Sequence, residues 1–352
     1  MAGSWLLYGA TGYTGELIAR EAVKRGMKPV LAGRSREKIA RLAAELNCPS
    51  AVFALEDHTA MLSSLQGITA VLHCAGPFSA TARSMMQACL ASHIHYLDIT
   101  GEIDVFELAH SVHEKAQRAG SLLCPGVGFD VVPTDCVALK LKQALPDATH
   151  LTLGFDASAG LSKGTAKTAV ESAGEGSRLR RDGRIVNVPL ASQSRRIDFG
   201  AGEKLAVGIG WGDVSTAYYS TGIPNIEVFT ASSQQAFKQM RRANTLRPLL
   251  RRRWVQALIK FGIDRRLQPP SSAQRDNNPT FVWGEARNAA GRIVTARLRT
   301  ANGYALTVAS SLGMMSALLQ HSHPGGFATP SMLVGADFVS SLPGSSEIRL
   351  ES

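Results

Sequence analysis

Short apolar segments alternate with amphipathic helical ones through the first third of the chain, and a glycine run separates the first of each. Beyond about Val131 the apolar period shortens toward two and turn dipeptides appear. These three observations predict an α/β protein: a doubly wound Rossmann domain with a second α+β domain built on a mainly antiparallel sheet. The length of 352 residues fits about two domains. The expected bounds are 1–130 for the first and 131–325 for the second. Residues 326–352 are expected to form a C-terminal segment that packs back on the first domain.

Trp5 to Tyr8 reads as the first strand. The following helix shows Leu17, Ile18, Ala22 and Val23 on one face, and Gly26 stands where a left-handed cap belongs. Pro29 to Ala32 is the second strand. Ser35 is placed to cap the next helix, whose apolar positions Ile39, Leu42, Ala43 and Leu46 keep helical spacing. Ala51 to Leu55 and Ala70 to Cys74 read as strands, Ser79 to Ala91 as helix, and His95 to Ile99 as strand. A single helix is expected from Ile103 to Ala119, ended by Gly120, then a strand from Ser121 to Cys124. In the second domain Leu151, Leu153 and Phe155 alternate, as does Arg292 to Arg299. Asp182-Gly183 and Asn302-Gly303 read as hairpin turns.

Hydrophobic residues at 45% and charged ones at 19% exclude disorder, collagen and coiled coil as the main architecture. Five cysteines, an odd number without ligand spacing, argue against a disulfide framework and a zinc site. The nine histidines form no metal pattern either, so no metal is expected. The longest apolar stretch, Ala305 to Leu319, is diluted by Ser, Thr and Gly, short of the 18 or so residues of a spanning helix. A strand beginning at Ser4 with no basic leader predicts a cytoplasmic protein.

Gly9-Ala10-Thr11-Gly12-Tyr13-Thr14-Gly15 lies directly after a strand and opens a helix. In that place glycine allows a tight turn and close approach of backbone to a pyrophosphate, whose charge the helix-start amides hold. The second strand runs into Gly33-Arg34-Ser35. An acid here would bond the ribose hydroxyls of NAD; Arg34 instead suits a 2′-phosphate, so NADP(H) is the expected cofactor. Asp57, after the third strand, reads either as an adenine contact or as a surface loop acid. Ala75, Gly76, Pro77 and Phe78 follow the fourth strand and are expected to floor the ribose and nicotinamide. Cys74 beside them reads as a small buried hydrophobe.

At these residues the sequence resembles the saccharopine dehydrogenase-like oxidoreductases, and among them the branch named for trans-acting enoyl reductases. Further segments carry the resemblance: Tyr96-Leu97-Asp98-Ile99-Thr100-Gly101-Glu102, Pro125-Gly126-Val127-Gly128-Phe129-Asp130, Pro133-Thr134-Asp135, Val282-Trp283-Gly284-Glu285-Ala286, Thr329-Pro330-Ser331 and Gly335-Ala336-Asp337-Phe338. Ser162-Lys163-Gly164-Thr165 stands where Ser-Gly-Gly-Thr is expected. The resemblance implies an NADP-binding domain joined to a catalytic or dimerisation domain, and reduction of a carbon–carbon double bond on a lipid or polyketide intermediate. Carbon–nitrogen reduction, as in saccharopine chemistry, is the alternative among enzymes, and a non-catalytic NADP(H) sensor the alternative outside them.

A nicotinamide carries the hydride and the protein supplies position and a proton. Tyr96, Asp98, Thr100 and Glu102 cluster after the fifth strand, and Asp130 and Asp135 after the sixth. Tyr96, Asp98 and Asp130 are the candidates for catalysis, with Tyr96 or a protonated acid giving the proton. Against this, Tyr96 also reads as a strand-core aromatic and Asp98 as a turn acid. Residues 238–266 crowd arginines beside Leu249, Leu250, Trp254, Leu258 and Phe261, and the chain carries a net charge of +10. That stretch reads as a contact for an anionic membrane surface or acidic carrier protein, or as a solvated helix packed on its own domain, the commoner case. No nucleic-acid motif accompanies the charge. The expected partners are a small-molecule substrate, lipid-like or carrier-bound, and a second copy in a homodimer.

Overall fold

The structure is a computed structural model. It describes residues 4–157, 170, 174–200, 202–266 and 278–351, so Ser162-Lys163-Gly164-Thr165 lies outside the described residues. The chain divides into two compact units, Met1–Phe129 with Leu306–Val334, and Asp130–Ala305 with Gly335–Ser352.

The first unit begins with β1 (Trp5–Tyr8), α1 (Tyr13–Lys24), β2 (Val30–Gly33), α2 (Arg36–Leu46) and β3 (Ser50–Val52). It continues through α3 (His58–Ser64), β4 (Ala70–His73), α4 (Phe78–Ala91), β5 (His95–Asp98), α5 (Ile103–Ser111), α6 (His113–Ala119) and β6 (Leu122–Cys124). Every strand pair in this sheet is parallel. Its central strands are buried along their whole length, as a sheet covered by helices on both faces requires. α1 turns Ile18, Ala19 and Ala22 inward at helical spacing. Two local details differ from the sequence reading. α3 is short, with Met61 alone buried, and so gives almost no periodic signal. The helix expected over 103–119 breaks at Val112, whose φ of −109° is off the helical value.

The second unit opens with α7 (Val132–Ala144) and β7 (Ala148–Ala157), followed by β8 (Ser177–Arg181), β9 (Arg184–Val188), β10 (Ser194–Asp198) and β11 (Glu203–Ile209). Next come α8 (Asp213–Thr221), β12 (Asn225–Ala231), α9 (Gln234–Ala243), α10 (Arg247–Leu250), α11 (Arg253–Arg266), β13 (Thr280–Asn288) and β14 (Ile293–Thr300). Among the described residues of this unit, β7 and β12 pair in parallel and the other ladders are antiparallel. Ile197, Phe199, Ala206, Phe229 and Trp283 form a core cluster against this sheet. Asp182 and Gly183, both at positive φ, make the β8–β9 turn as their sequence predicts. The buried Arg180 ties that hairpin to α8: its guanidinium donates to Gly183 O and Val214 O and lies 4.1 Å from the Tyr218 ring centre.

The last elements are α12 (Gly303–Gln320), β15 (Gly326–Phe327), α13 (Pro330–Val334) and β16 (Arg349–Glu351). β15 pairs with β6, so the first sheet runs β15-β6-β5-β4-β1-β2-β3. β16 pairs with β14 at the edge of the second sheet, whose other edge is β10. Asn302-Gly303 is therefore not a hairpin turn: the Asn302 side chain accepts from the amides of Tyr304 and Ala305 and caps α12. The division also differs from the expected bounds. Leu306–Val334 belongs to the first unit, where Thr307 and Ser310 of α12 bond residues 127–129 and β15 extends the sheet, whereas 335–352 belongs to the second. Among the described residues, no helix is long and apolar enough to cross a membrane.

Candidate functional site

The glycine loop leaves β1 and folds tightly against two neighbours. Gly9 has φ +82°, and its amide donates to Ala32 O at the end of β2. A Cβ on Gly9 would lie 2.9 Å from the amide nitrogen of Ala75, so loop and floor touch. A Cβ on Gly15 would lie 2.2 Å from Gly9 O, which no side chain tolerates. Gly12 is the N-cap of α1 and brings no side-chain cap. The first-turn amides, including those of Thr14 and Gly15, have no intrahelical acceptor by the geometry of a helix start. A bare, glycine-lined helix N-terminus is a fitting cradle for a dinucleotide's phosphates. Ala10 is buried, while Thr11 and Tyr13 are partly exposed at the cradle.

Gly33 closes β2 in the core, and Arg34 follows it into solvent. Arg34 sits close enough to Tyr8, which is also near Glu56, for both charges to act on the phenol. Its guanidinium makes no ion pair among the described residues, so its charge is available to a phosphate. Ser35 is the N-cap of α2, but its hydroxyl makes no capping bond there. Sequence reasoning missed an adjoining opening of about 220 Å³ lined by Thr11, Lys38, Arg41 and Glu45 among others. Its signal was the helical spacing of residues 38, 41 and 45. Asp57 accounts for itself: its carboxylate accepts from Ala60 N at 3.0 Å and caps α3.

The floor after β4 is held from beneath. Thr81 donates its hydroxyl to Ala75 O at 2.7 Å, with Pro77 O at 3.1 Å, and therefore accepts at its oxygen from His73 Nε2–H. His73 is thus the neutral Nε2–H tautomer, and burial pushes its pKa down to about 3. The Glu102 carboxylate accepts from the amides of Phe78 and Ser79, at 2.9 and 2.7 Å, and caps α4 from a distant point in the sequence. Gly76 and Pro77 are exposed on this floor and Phe78 half-buried. Burial raises the Cys74 thiol pKa, as does the Asp98 charge, and the sulfur is no nucleophile in that state.

Tyr96 and Asp98 are directly joined at the end of β5. Both are fully buried, and the Tyr96 hydroxyl donates to Asp98 Oδ2 at 2.6 Å. Asp98 Oδ1 accepts from the amides of Thr100 and Gly126, each at 2.9 Å. Desolvation raises the Asp98 carboxyl to about 6, its hydrogen bonds opposing. Burial first, and then the Asp98 charge, raises the Tyr96 phenol well above its ordinary value. The loop after β6 is held by α12: Thr307 accepts from Phe129 N, and Ser310 donates to Val127 O.

Residues 5–124 match the family described as the saccharopine dehydrogenase NADP binding domain. The chain carries a saccharopine dehydrogenase NADP-binding domain. NADP(H) is therefore its cofactor, as Arg34 had suggested. A human saccharopine dehydrogenase-like oxidoreductase is 28% identical over 214 residues, 53% of this chain and 50% of that protein. A Mycobacterium tuberculosis protein whose name proposes a trans-acting enoyl reductase is 30% identical over 153 residues, 40% of this chain and 35% of that protein. The chain thus spans at most half the length of these two curated relatives. The solved apo saccharopine dehydrogenase (L-Glu forming) of Saccharomyces cerevisiae shares the fold over 99% of both chains, with a TM-score of 0.66 at 10% identity.

In this NADP-binding domain the structure brings together the Gly9–Gly15 loop, the 75–78 floor and the Tyr96–Asp98 pair on one sheet. Asp130 begins the second unit, where its carbonyl accepts from Trp211 Nε1 at 2.7 Å. Asp135 and Asp213 are fully buried in that second unit. Burial drives the Asp213 carboxyl well above its ordinary pKa, assisted by the charges of Asp135 and Asp130. Among the described residues no group of His, Cys, Asp and Glu is arranged to hold a metal.

Proposed function

We propose that the protein is an NADPH-dependent oxidoreductase that reduces an activated carbon–carbon double bond of a lipid- or polyketide-like enoyl substrate, free or carrier-bound. The observation that carries the reading is the unpaired Arg34 at the end of β2, beside a glycine cradle that accepts no Cβ at Gly15. When bound, NADPH supplies the hydride. Arg34 binds the 2′-phosphate and the α1 amides bind the pyrophosphate. Ala75 to Phe78, set by Thr81 and Glu102, orient the ribose and nicotinamide. Tyr96 and Asp98 fix Thr100 and Gly126 through shared hydrogen bonds, and Tyr96 or a protonated acid gives the proton. The name of the mycobacterial relative supports the enoyl substrate. Carbon–nitrogen reduction is the second reading, supported by the saccharopine dehydrogenase family of the cofactor domain. Among the described residues β10 and β16 are the edges of the second sheet, which supports a homodimer.

The test is a pair of fluorescence titrations with NADPH and NADH, followed by NADPH consumption with a panel of enoyl thioesters and imines. Selective NADPH binding with turnover of a thioester is expected. Turnover of imines alone moves the assignment to carbon–nitrogen chemistry. Tight binding with no turnover on either set removes the enzyme and leaves a sensor.

A further inference from the structure

Residues 234–266 contain ten Lys or Arg and a single acid, Asp264. The sequence allowed their apolar side to be packed on the domain, and the structure turns it outward. Trp254, Leu258 and Phe261 recur at i, i+4 and i+7 on α11 and are 62%, 63% and 55% exposed. Leu246 and Leu249, just before them, are 55% and 47% exposed. α9 buries none of its residues.

This surface is built rather than frayed. The Asn244 side chain accepts from Leu190 N and donates to Leu190 O, at 2.8 and 2.9 Å. Arg247 donates to the carbonyls of Gly174 and Glu175, and Arg251 to Gly174 O at 3.0 Å. Those two arginines are spent as anchors. Arg241, Arg242, Arg252 and Arg265 stay exposed and make no ion pair among the described residues, with Arg265 lying 4.3 Å above the Phe261 ring.

We propose that this face seats the protein on an anionic phospholipid surface, with Trp254, Leu258 and Phe261 entering the interface and the free arginines meeting the headgroups. An acidic partner without apolar surface leaves the stripe in water, and a neutral bilayer leaves the cations unmatched. An anionic bilayer satisfies both. Tryptophan favours the headgroup level, and long arginine side chains cover apolar surface while keeping their charge wet. The contact is peripheral, because no described helix is able to span. This inference stands independently of the reductase reading.

The test uses the full chain with extruded vesicles of phosphatidylcholine, alone or with about one-third phosphatidylserine, a composition that gives an anionic surface potential. Sedimentation with the anionic vesicles only, weakened by added salt, is expected. Trp254 reports the contact directly. Trp5 and Trp283 are buried at 3% and 5% exposure, and the Trp211 indole is already bonded inside the protein. Its emission shifts to the blue on binding. Replacing two interfacial side chains in Trp254→Ala/Leu258→Ala lowers partitioning by roughly tenfold or more. NADPH affinity is unchanged in that variant and certifies its fold. Four outcomes overturn the proposal: no sedimentation even at low salt, equal sedimentation with both vesicles, unchanged partitioning of the variant, or concentration-dependent self-association that shields Trp254 without lipid. The last reassigns the face to a second copy of the chain.

Discussion

Asp98 holds its proton to about pH 6, whereas a solvated aspartate releases it at 3.8. Between about pH 4 and 6 the unfolded chain gives up a proton that the fold keeps, so this residue makes stability fall as pH rises through that window, by roughly 3 kcal/mol in all. His73 acts in the opposite sense. Its pKa of about 3 lies below the 6.5 of a free histidine, so its contribution is complete above pH 6.5 and is lost as pH falls toward 3. The two slopes oppose each other between pH 4 and 6. Asp98→Asn keeps an oxygen for the Thr100 and Gly126 amides and offers an amide N–H to the Tyr96 oxygen, so it is expected to fold. Its urea-unfolding stability is expected to lose the opposing slope and to rise with pH across that window more steeply than the parent. Parallel curves exclude the assignment. Arg34→Glu is expected to weaken NADPH binding by about 10- to 100-fold, the value of charged hydrogen bonds, and to leave NADH binding unchanged by titration. Gly15→Ala forces a methyl into Gly9 O and is expected to abolish NADPH binding and lower Tm, since overpacking costs about 1–3 kcal/mol. The tight turn at Gly9 and the exposed Arg34 after β2 were readable because both depend on neighbours in sequence. The Tyr96–Asp98 bond was readable only as a cluster, since the amide of Gly126, 28 residues on, decides where the carboxylate points.

At the scale of elements, α4 begins at Pro77, a residue with no capping side chain, and borrows Glu102 instead. Glu102→Ala is expected to cost about 1 kcal/mol, the usual value of a cap, and to raise the KM for NADPH through a loosened 75–78 floor while Glu102→Gln restores much of both. Thermal unfolding and steady-state kinetics check it. Nothing near Pro77 in sequence signals this cap. Asn302-Gly303 shows the same limit from the other side. Asn suits a hairpin turn and a helix cap equally, and only the 18 residues of α12 that follow decide between them. The break at Val112 escaped the periodicity because apolar spacing persists across it.

Across the whole molecule, both units are discontinuous in sequence. The sheet of the first is finished by β15, and its loop 125–129 is held by Thr307 and Ser310 of α12. A fragment of residues 1–130 is therefore expected to aggregate or to unfold without a cooperative transition, because β6 keeps an open edge and loop 125–129 loses its bonds to Thr307 and Ser310. Adding 306–334 through a flexible linker is expected to restore a cooperative melt in circular dichroism. The fold class was legible because strand and helix periods are local, whereas the domain bounds were not, because nothing in residues 306–334 names the sheet they join. The same interleaving sets the order of events on the ribosome. Domains with contiguous sequence finish folding one after another as they emerge. Here β14 waits for residues 349–351 and β6 for residues 326–327, so these two strand edges stay unpaired until those residues have been made. A message cut short anywhere before that point yields a chain with an unfinished edge, open to chaperones and proteases.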